Sequence, residues 1–398
     1  MKNPECQVEH AAGEQAKKGI TGSEKKNAGK ERLNRRQKVF IFSWRWCWLE
    51  IRKAVREDND ALVNLLARCP QGTNLVVRLN RSPDFFARSQ PYEKSQTFVA
   101  EEDGKIIGSG ECALKNVRMG GEKKRAGYLF SFATDAEYRG RGIARRLEEA
   151  CSEYVRSEGA QFCYCWILED NVPSLKAFGK QGYEEEALLK AYAILPFKKK
   201  PVFDGVRALK EQDKEEVTDL LNETYRDYDY YNPYTPTTFQ AFLESLPGFS
   251  LDDFVVYEKS GRIVSCLGCW DYSRAIQGTI IKLSTQLRLV SMVFRFLRFF
   301  KAMPRVPELG KDWAYCVPEL PGYRHSPDDL IPLWNWFNNF AVERKSNVIL
   351  FPLDPKSNLV KLAKQDMHVS VGIHQLVKPL EDFTFSSSRL IYGDPIDI

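Results

Sequence analysis

The sequence predicts an α/β (α+β) protein made of two tandem copies of one domain, each a mixed, mostly antiparallel sheet flanked by helices. From Trp48 onward, strand-like and helix-like runs alternate in the order β-α-β-β-β-α-β-α-β, and that order then begins again. Two stretches also repeat in one register at a spacing of about 155 residues, which favours internal duplication. Finally, 398 residues with 43% hydrophobic and 12% aromatic content are enough for two or three domains with sizeable cores.

In the first repeat, Leu49–Lys53 alternates as a strand. Asp58–Ala67 follows as a helix, with Leu62, Leu65 and Leu66 on one face. Thr97–Glu101 and Ile106–Leu114 read as a hairpin around Asp103-Gly104-Lys105. Ala126–Thr134 is a third long strand. Gly142–Val155 carries Ile143, Leu147, Cys151 and Tyr154 at helical spacing. Gln161–Leu168 is a buried, aromatic-rich strand, Asn171–Lys180 a short helix, and Gly182-Tyr183 leads into a last strand.

The second repeat echoes the first. Ile51-Arg52-Lys53-Ala54-Val55-Arg56-Glu57-Asp58 returns as Val206-Arg207-Ala208-Leu209-Lys210-Glu211-Gln212-Asp213. Phe98-Val99-Ala100 returns as Phe254-Val255-Val256. Pro196–Pro201 is a natural linker, giving a domain at 46–200 and another at 201–398, after a polar stretch, 1–45, expected to be a disordered tail. The second repeat has an insertion near 276–310. Its centre, Leu287–Lys301, is a basic amphipathic helix of a kind that can lie on a membrane but more often packs on its own protein or on a neighbouring domain.

The formal charge is +5, with part of the excess in the N-terminal tail, and no basic-and-aromatic module argues for nucleic acid. Ten scattered cysteines read as reduced, mostly buried thiols, pointing to the cytoplasm. Cys266-Leu267-Gly268-Cys269 is a lone CxxC without a second pair, so no metal is expected. No signal peptide is expected, and no run reaches the roughly 20 apolar residues of a membrane span, so stable membrane insertion is not expected.

One segment carries chemistry. Arg139-Gly140-Arg141-Gly142-Ile143-Ala144 lies between a strand ending near Thr134 and a helix. A glycine-rich strand-to-helix turn presents several backbone N–H groups at a helix N-terminus, where the dipole favours anions. Gly140 and Gly142 would let a pyrophosphate approach the backbone, and Arg139, Arg141, Arg145 and Arg146 add positive charge.

The wider stretch Phe132–Ala144, followed by Asn171-Val172-Pro173-Ser174, Phe178 and Gly182-Tyr183, resembles the acetyl-CoA signature of the GNAT N-acetyltransferase family. The resemblance covers about Leu49–Leu195. The duplicated arrangement is similar to tandem GNAT proteins, including the plant Hookless-type acetyltransferases. The resemblance implies a splayed sheet and acetyl-CoA as cosubstrate. Pantetheine would pair with the backbone of Phe132, Ala133 and Thr134. The pyrophosphate would sit on Arg139, Gly140, Arg141, Gly142, Ile143, Ala144 and Arg145, with Asn171 and Ser174 on the cofactor side. It also implies direct attack on the thioester by an amine, borne by a small molecule or by a protein or peptide.

The sequence departs from that family where a tyrosine usually protonates the leaving thiolate, because Phe178 stands there. Tyr164 or a water supplies the proton, or the thiolate leaves unassisted, while Tyr183 is expected in the core. Glu111 is the candidate base, being a carboxylate amid small and apolar strand residues; the alternative is an outward-facing strand position. A cofactor-binding module without turnover is the competing function. In the second repeat the matching helix begins Ser326-Pro327-Asp328-Asp329, whose acids would repel a pyrophosphate, so no cofactor is expected there.

Overall fold

The computed structural model describes residues 49–381 and 388–397; the expected tail at 1–45 lies outside them. The first repeat comprises β1 (Glu50–Lys53), α1 (Asn59–Arg68), β2 (Leu75–Asn80), β3 (Lys94–Glu102), β4 (Lys105–Met119), β5 (Glu122–Thr134), α2 (Ile143–Ser157), β6 (Phe162–Leu168), α3 (Val172–Gly179) and β7 (Glu184–Ile194). The second comprises β8 (Val206–Ala208), α4 (Lys214–Thr224), β9 (Tyr228–Asp229), α5 (Pro236–Ser245), β10 (Phe254–Lys259), β11 (Arg262–Asp271), β12 (Gln277–Leu283) and α6 (Thr285–Leu297). It continues with β13 (Asp312–Trp313), β14 (Tyr315–Tyr323), α7 (Ile331–Glu343), β15 (Val348–Leu353), α8 (Val360–Ala363), β16 (His368–Pro379) and β17 (Leu390–Ile391).

The repeat extends to side-chain chemistry. Arg52 forks onto Asp58 (2.7 and 2.9 Å) and reaches Glu101 (2.7 Å), while Asp58 accepts the Val55 N–H (2.9 Å). In the second repeat Arg207 forks onto Asp213 (2.5 and 3.1 Å) and reaches Glu258 (2.9 Å), while Asp213 accepts the Lys210 N–H (2.8 Å). The hydrogen-bonded Arg52 guanidinium holds the Asp58 carboxyl below the usual range. Each network fixes the corner between a first strand and its helix.

The two repeats share one twelve-stranded sheet, in the order β1-β3-β4-β5-β6-β16-β7-β15-β14-β11-β10-β8. They have exchanged their last strands. β6 pairs antiparallel with β16 (Leu168↔Ile373 to Phe162↔Pro379), not with β7. β7 pairs with β15 (Ile194↔Ile349 to Lys190↔Leu353) and with β16 in the middle. Burial explains the central place of these strands: Leu189, Ala191, Tyr192 and Ile194 of β7 and Ile373, Leu376 and Val377 of β16 are all buried. A second seam joins β2 to β12 and β13 in a small sheet.

One hydrophobic cluster accordingly runs from Tyr92 and Tyr128 in the first repeat to Trp270 and Trp334 in the second. Smaller clusters lie under α2 and α1. The tyrosine-rich stretch after α4 belongs to the large cluster. Tyr225, Tyr228, Tyr230 and Tyr231 are buried, and Tyr230 meets Tyr164 edge-on at 5.1 Å. Residues 230 and 231 also exchange backbone hydrogen bonds with Arg118 of β4 (2.8 and 3.0 Å).

Candidate active site

Two glycines let α2 lie close to the sheet. A Cβ on Gly108 would come within 2.8 Å of Ile143, and one on Gly127 within 2.5 Å of Val155. α2 starts from a turn in which Gly140 (φ 81°) and Gly142 (φ 76°) are both left-handed, a conformation glycine adopts at little cost. Gly142 is the N-cap, so the cap residue offers no side chain to the first amides of α2, and residues 139–142 are exposed. Ile143 is buried and Ala144 half-buried, which anchors the turn. Arg139 donates to the Thr134 carbonyl (3.2 Å), and Arg145 is exposed beside Glu149 (3.3 Å). Arg141 turns away: both its terminal nitrogens bind Glu102 (3.0 and 2.5 Å), so its guanidinium is directed at a carboxylate and its backbone N–H remains at the turn.

The strand leading to this turn opens a cleft. Among the described residues, β5 and β6 pair in parallel at Ala126↔Phe162, Gly127↔Cys163 and Tyr128↔Tyr164, and not beyond. Past that apex the strands diverge, leaving the β5 edge of Phe132, Ala133 and Thr134 as one arm of a V. A bulge at Ser131 (φ 53°) sets this arm, and Gly110 opposite lacks the Cβ that would strike the Phe132 ring at 2.8 Å. At the end of the other arm, Asn171 Oδ1 caps α3 by accepting the Ser174 N–H (3.3 Å). Phe178 lies edge-on to Phe132 (5.4 Å). Tyr183 is buried and donates to Glu148 (3.0 Å), a core role.

Glu111 and Tyr164 lie on the sheet face that carries Tyr128 and Phe130. Glu111 points inward, only 1% exposed, which removes the outward-facing alternative. Its two oxygens are already held, by Arg81 Nη1 (2.5 Å) and Ser89 Oγ (2.8 Å). The Tyr164 hydroxyl donates to Asp397 Oδ2 (2.8 Å), and burial pushes its pKa well above the usual tyrosine value, so it stays protonated.

Asp397 belongs to a carboxyl nest that the sequence reading did not anticipate. Lys115 Nζ binds Asp394 (2.6 Å) and both Asp397 oxygens (2.9 Å each). Tyr92 donates to Asp397 Oδ1 (3.1 Å) and Tyr128 to the Asp397 carbonyl. Burial pushes Asp397 up to about 6 despite the Lys115 ammonium. Burial works against that ammonium, but Asp394 and Asp397 outweigh it and the Lys115 pKa is raised. Glu319 of β14 is fully buried, neither of its oxygens has a hydrogen-bond partner among the described residues, and burial raises its pKa well above the usual value. The signal that singled out Glu111, a carboxylate among apolar neighbours, also marks Pro318-Glu319-Leu320 and Asp394-Pro395-Ile396-Asp397.

The second repeat keeps the V but fills it. β14 and β15 pair in parallel at Tyr315↔Val348 and Cys316↔Ile349. The cleft past that point holds Ile391, Tyr392, Gly393 and Pro395 against Pro318, Pro321 and Pro352, leaving a cavity of about 10 Å³, around the least that one water needs. At the following helix start, Ser326 Oγ accepts the Asp328 N–H (3.3 Å) and Asp329 accepts the His325 N–H (2.9 Å). Cys266 and Cys269 are buried free thiols, and no described group of His, Cys, Asp and Glu is arranged to hold a metal ion.

Residues 54–183 match the acetyltransferase (GNAT) family model. This part of the chain is a GNAT domain. An uncharacterized N-acetyltransferase of Methanocaldococcus jannaschii is 22% identical over 147 residues, 36% of this chain and 63% of that protein, so the match spans less than two thirds of that relative. An acetyltransferase of Pectobacterium atrosepticum is 27% identical over 144 residues, 34% of this chain and 88% of that one. Among solved structures, Saccharomyces cerevisiae N-myristoyltransferase with bound myristoyl-CoA shares the fold with a TM-score of 0.58 at 11% identity, over 87% of this chain and 85% of that one. The glucosamine N-acetyltransferase region of a fungal GH3 beta-N-acetylglucosaminidase gives a TM-score of 0.54 at 14% identity, covering 83% of this chain and 38% of that one. The GNAT domain contains the glycine turn, the V, Glu111 and Tyr164. Glu319, Asp394 and Asp397 reach it from outside.

Proposed function

We propose that the protein transfers an acyl group, acetyl from acetyl-CoA, to an amine by direct attack on the thioester. The observation that carries this reading is the V between β5 and β6, running from the Tyr128–Tyr164 apex to the left-handed Gly140–Gly142 turn. Pantetheine would pair along Phe132, Ala133 and Thr134, and the pyrophosphate would rest on the first amides of α2 beside Arg139 and Arg145. The thioester then lies near the apex. The carboxyl nest draws in a cationic amine, which must lose a proton before it attacks.

In the transfer a C–N bond forms, the C–S bond breaks and the thiolate leaves. Asp397 serves as the proton acceptor in place of Glu111: donors hold the oxygens of both, and what distinguishes Asp397 is a pKa pushed up to about 6 and its direct hydrogen bond to the Tyr164 hydroxyl. The amine's first proton passes to solvent before attack; its second goes to Asp397 as the C–N bond forms, Tyr164 gives its own proton to the thiolate, and Asp397 restores it across their 2.8 Å hydrogen bond. Glu111 holds Arg81, which also binds Ser131 Oγ (2.5 Å) at the bulge. The second repeat, its cleft filled, binds no CoA. Its buried free thiols suit a cytoplasmic setting.

The test is thiol release from acetyl-CoA across an amine panel. Asp397→Asn should lower kcat by about 10²–10⁴-fold, the usual worth of a positioned base. Glu111→Gln should act on KM and stability instead; the reverse pattern would return the base to Glu111. Tight CoA binding with no thiol released on any amine would support the alternative, a binding module without turnover, which Phe178 favours.

A further inference from the structure

The insertion of the second repeat carries α6 in an orientation opposite to that of a core-facing helix. Toward the protein it turns Ser291, which is buried and donates to the Pro307 carbonyl (3.1 Å), and Arg298, which donates to the Pro304 carbonyl (2.7 Å). Leu287 and Phe294 complete that face and are half-buried. Toward solvent it turns Leu289, Met292, Val293 and Phe296, followed by Phe299 and Phe300, which are 84% and 73% exposed. Phe296 and Phe300 meet only edge-on, at 5.3 Å. The helix thus packs on its own protein through Leu287, Ser291 and Phe294, while its larger apolar side chains face solvent.

The patch is held on a fixed base. Ser284 caps α6 by accepting the Leu287 N–H (3.3 Å), and its own N–H binds the Asn74 carbonyl (2.7 Å). Past the helix, Pro304 and Val306 are buried, and Gly310 donates to the Ile280 carbonyl of β12 (2.8 Å). The charge is of one sign: Arg288, Arg295, Lys301 and Arg305 are exposed, and no Asp or Glu occurs from Thr285 to Pro307. Thirteen residues give a helix about 20 Å long, short of the roughly 30 Å hydrocarbon core, and no described helix is long and apolar enough to cross a membrane.

We propose that α6 and the following 298–303 segment dock flat on an anionic lipid surface. The apolar side chains enter the headgroup boundary and the arginines and lysine meet lipid phosphates and carboxylates. Aromatic residues beside cations, with no acidic residue in the same stretch, are the composition such a surface selects. An acyltransferase so placed would meet its acceptors at a membrane. The docking itself does not depend on the acyl-transfer reading.

The test is co-sedimentation of the full chain with vesicles of phosphatidylcholine alone or with about 30% phosphatidylserine. The expected result is binding at least about tenfold stronger with phosphatidylserine, weakened on going from about 0.1 to 0.5 M salt. Phe299→Ser/Phe300→Ser and Arg288→Gln/Arg295→Gln/Lys301→Gln should each lose binding while circular dichroism and CoA affinity stay unchanged. Equal binding to both vesicles, no binding, or variants that bind like the parent would overturn the proposal. So would a concentration-dependent dimer that the phenylalanine variant dissolves, since the patch would then serve self-association.

Discussion

Exchange of β7 and β16 predicts that the GNAT domain cannot stand alone. A fragment of residues 46–200 lacks β16, which supplies β6 with seven register pairs from Ile373 to Pro379. It also loses Ile373, Leu376 and Val377, all buried at the centre of the sheet. At roughly 1.5–3 kcal/mol per buried aliphatic side chain, that is about 5–9 kcal/mol, comparable to the whole stability of an ordinary domain. β7 loses β15 as well. The fragment should be insoluble or unfolded, as judged by soluble yield, far-ultraviolet circular dichroism and CoA titration. A synthetic peptide of residues 366–381 should recover part of the fold. A soluble, monomeric fragment with the CoA affinity of the full chain would refute this reasoning and make the second repeat an independent passenger.

Gly142→Asp should leave circular dichroism unchanged and cost CoA more than about 2 kcal/mol in calorimetry, because a carboxylate would face the pyrophosphate. CoA should titrate to one site per chain, since the second cleft is filled; two equivalent sites would contradict that. Arg81→Met should destabilise by about 3–5 kcal/mol in urea by stranding Glu111, and adding Glu111→Gln should recover most of it. Glu186, beneath the Tyr230 hydroxyl, is pushed up to about 7 by burial from an ordinary value near 4.5. Its proton is thus held more tightly in the folded state, and the stability this gives below pH 4.5 is lost as pH rises through 7. The loss is at most about 3 kcal/mol because the side chain is only half-buried, and Glu186→Gln should flatten that slope in urea unfolding.

Local order was legible in the sequence because it is written locally. The Leu62-Leu65-Leu66 face, the Asp103-Gly104 turn and the glycines before α2 act within a few residues, and the elements they announce are present within a few positions. The repeat was legible because Arg52 and Arg207 have the same duty, and both are needed. The strand exchange was not, since β7 reads the same whichever partner it takes, and register is decided by contacts with strands over 150 residues away. β2 also went unread; its partner β12 lies in the insertion. At the site, Glu111 stood out in β4, but the residues that hold it, Arg81 and Ser89, sit in an irregular stretch without periodicity. Asp397 gains its setting from Tyr92, Tyr128 and Lys115, all remote in sequence.

The exchanged strands also impose an order of events during synthesis. β6 and β7 leave the ribosome with the slot between them empty, and the strand that fills it ends at Pro379, 185 residues after Ile194 (379 less 194). At about 5–20 residues per second the gap stays open for roughly 10–40 s, far longer than a hairpin takes to form. During that time the exposed edge of β6, with its run Phe162-Cys163-Tyr164-Cys165-Trp166, is available to any strand nearby, including the same segment of a neighbouring nascent chain. Yield should therefore respond to translation speed and to chaperones that shield strand edges, even for variants whose finished stability is unchanged.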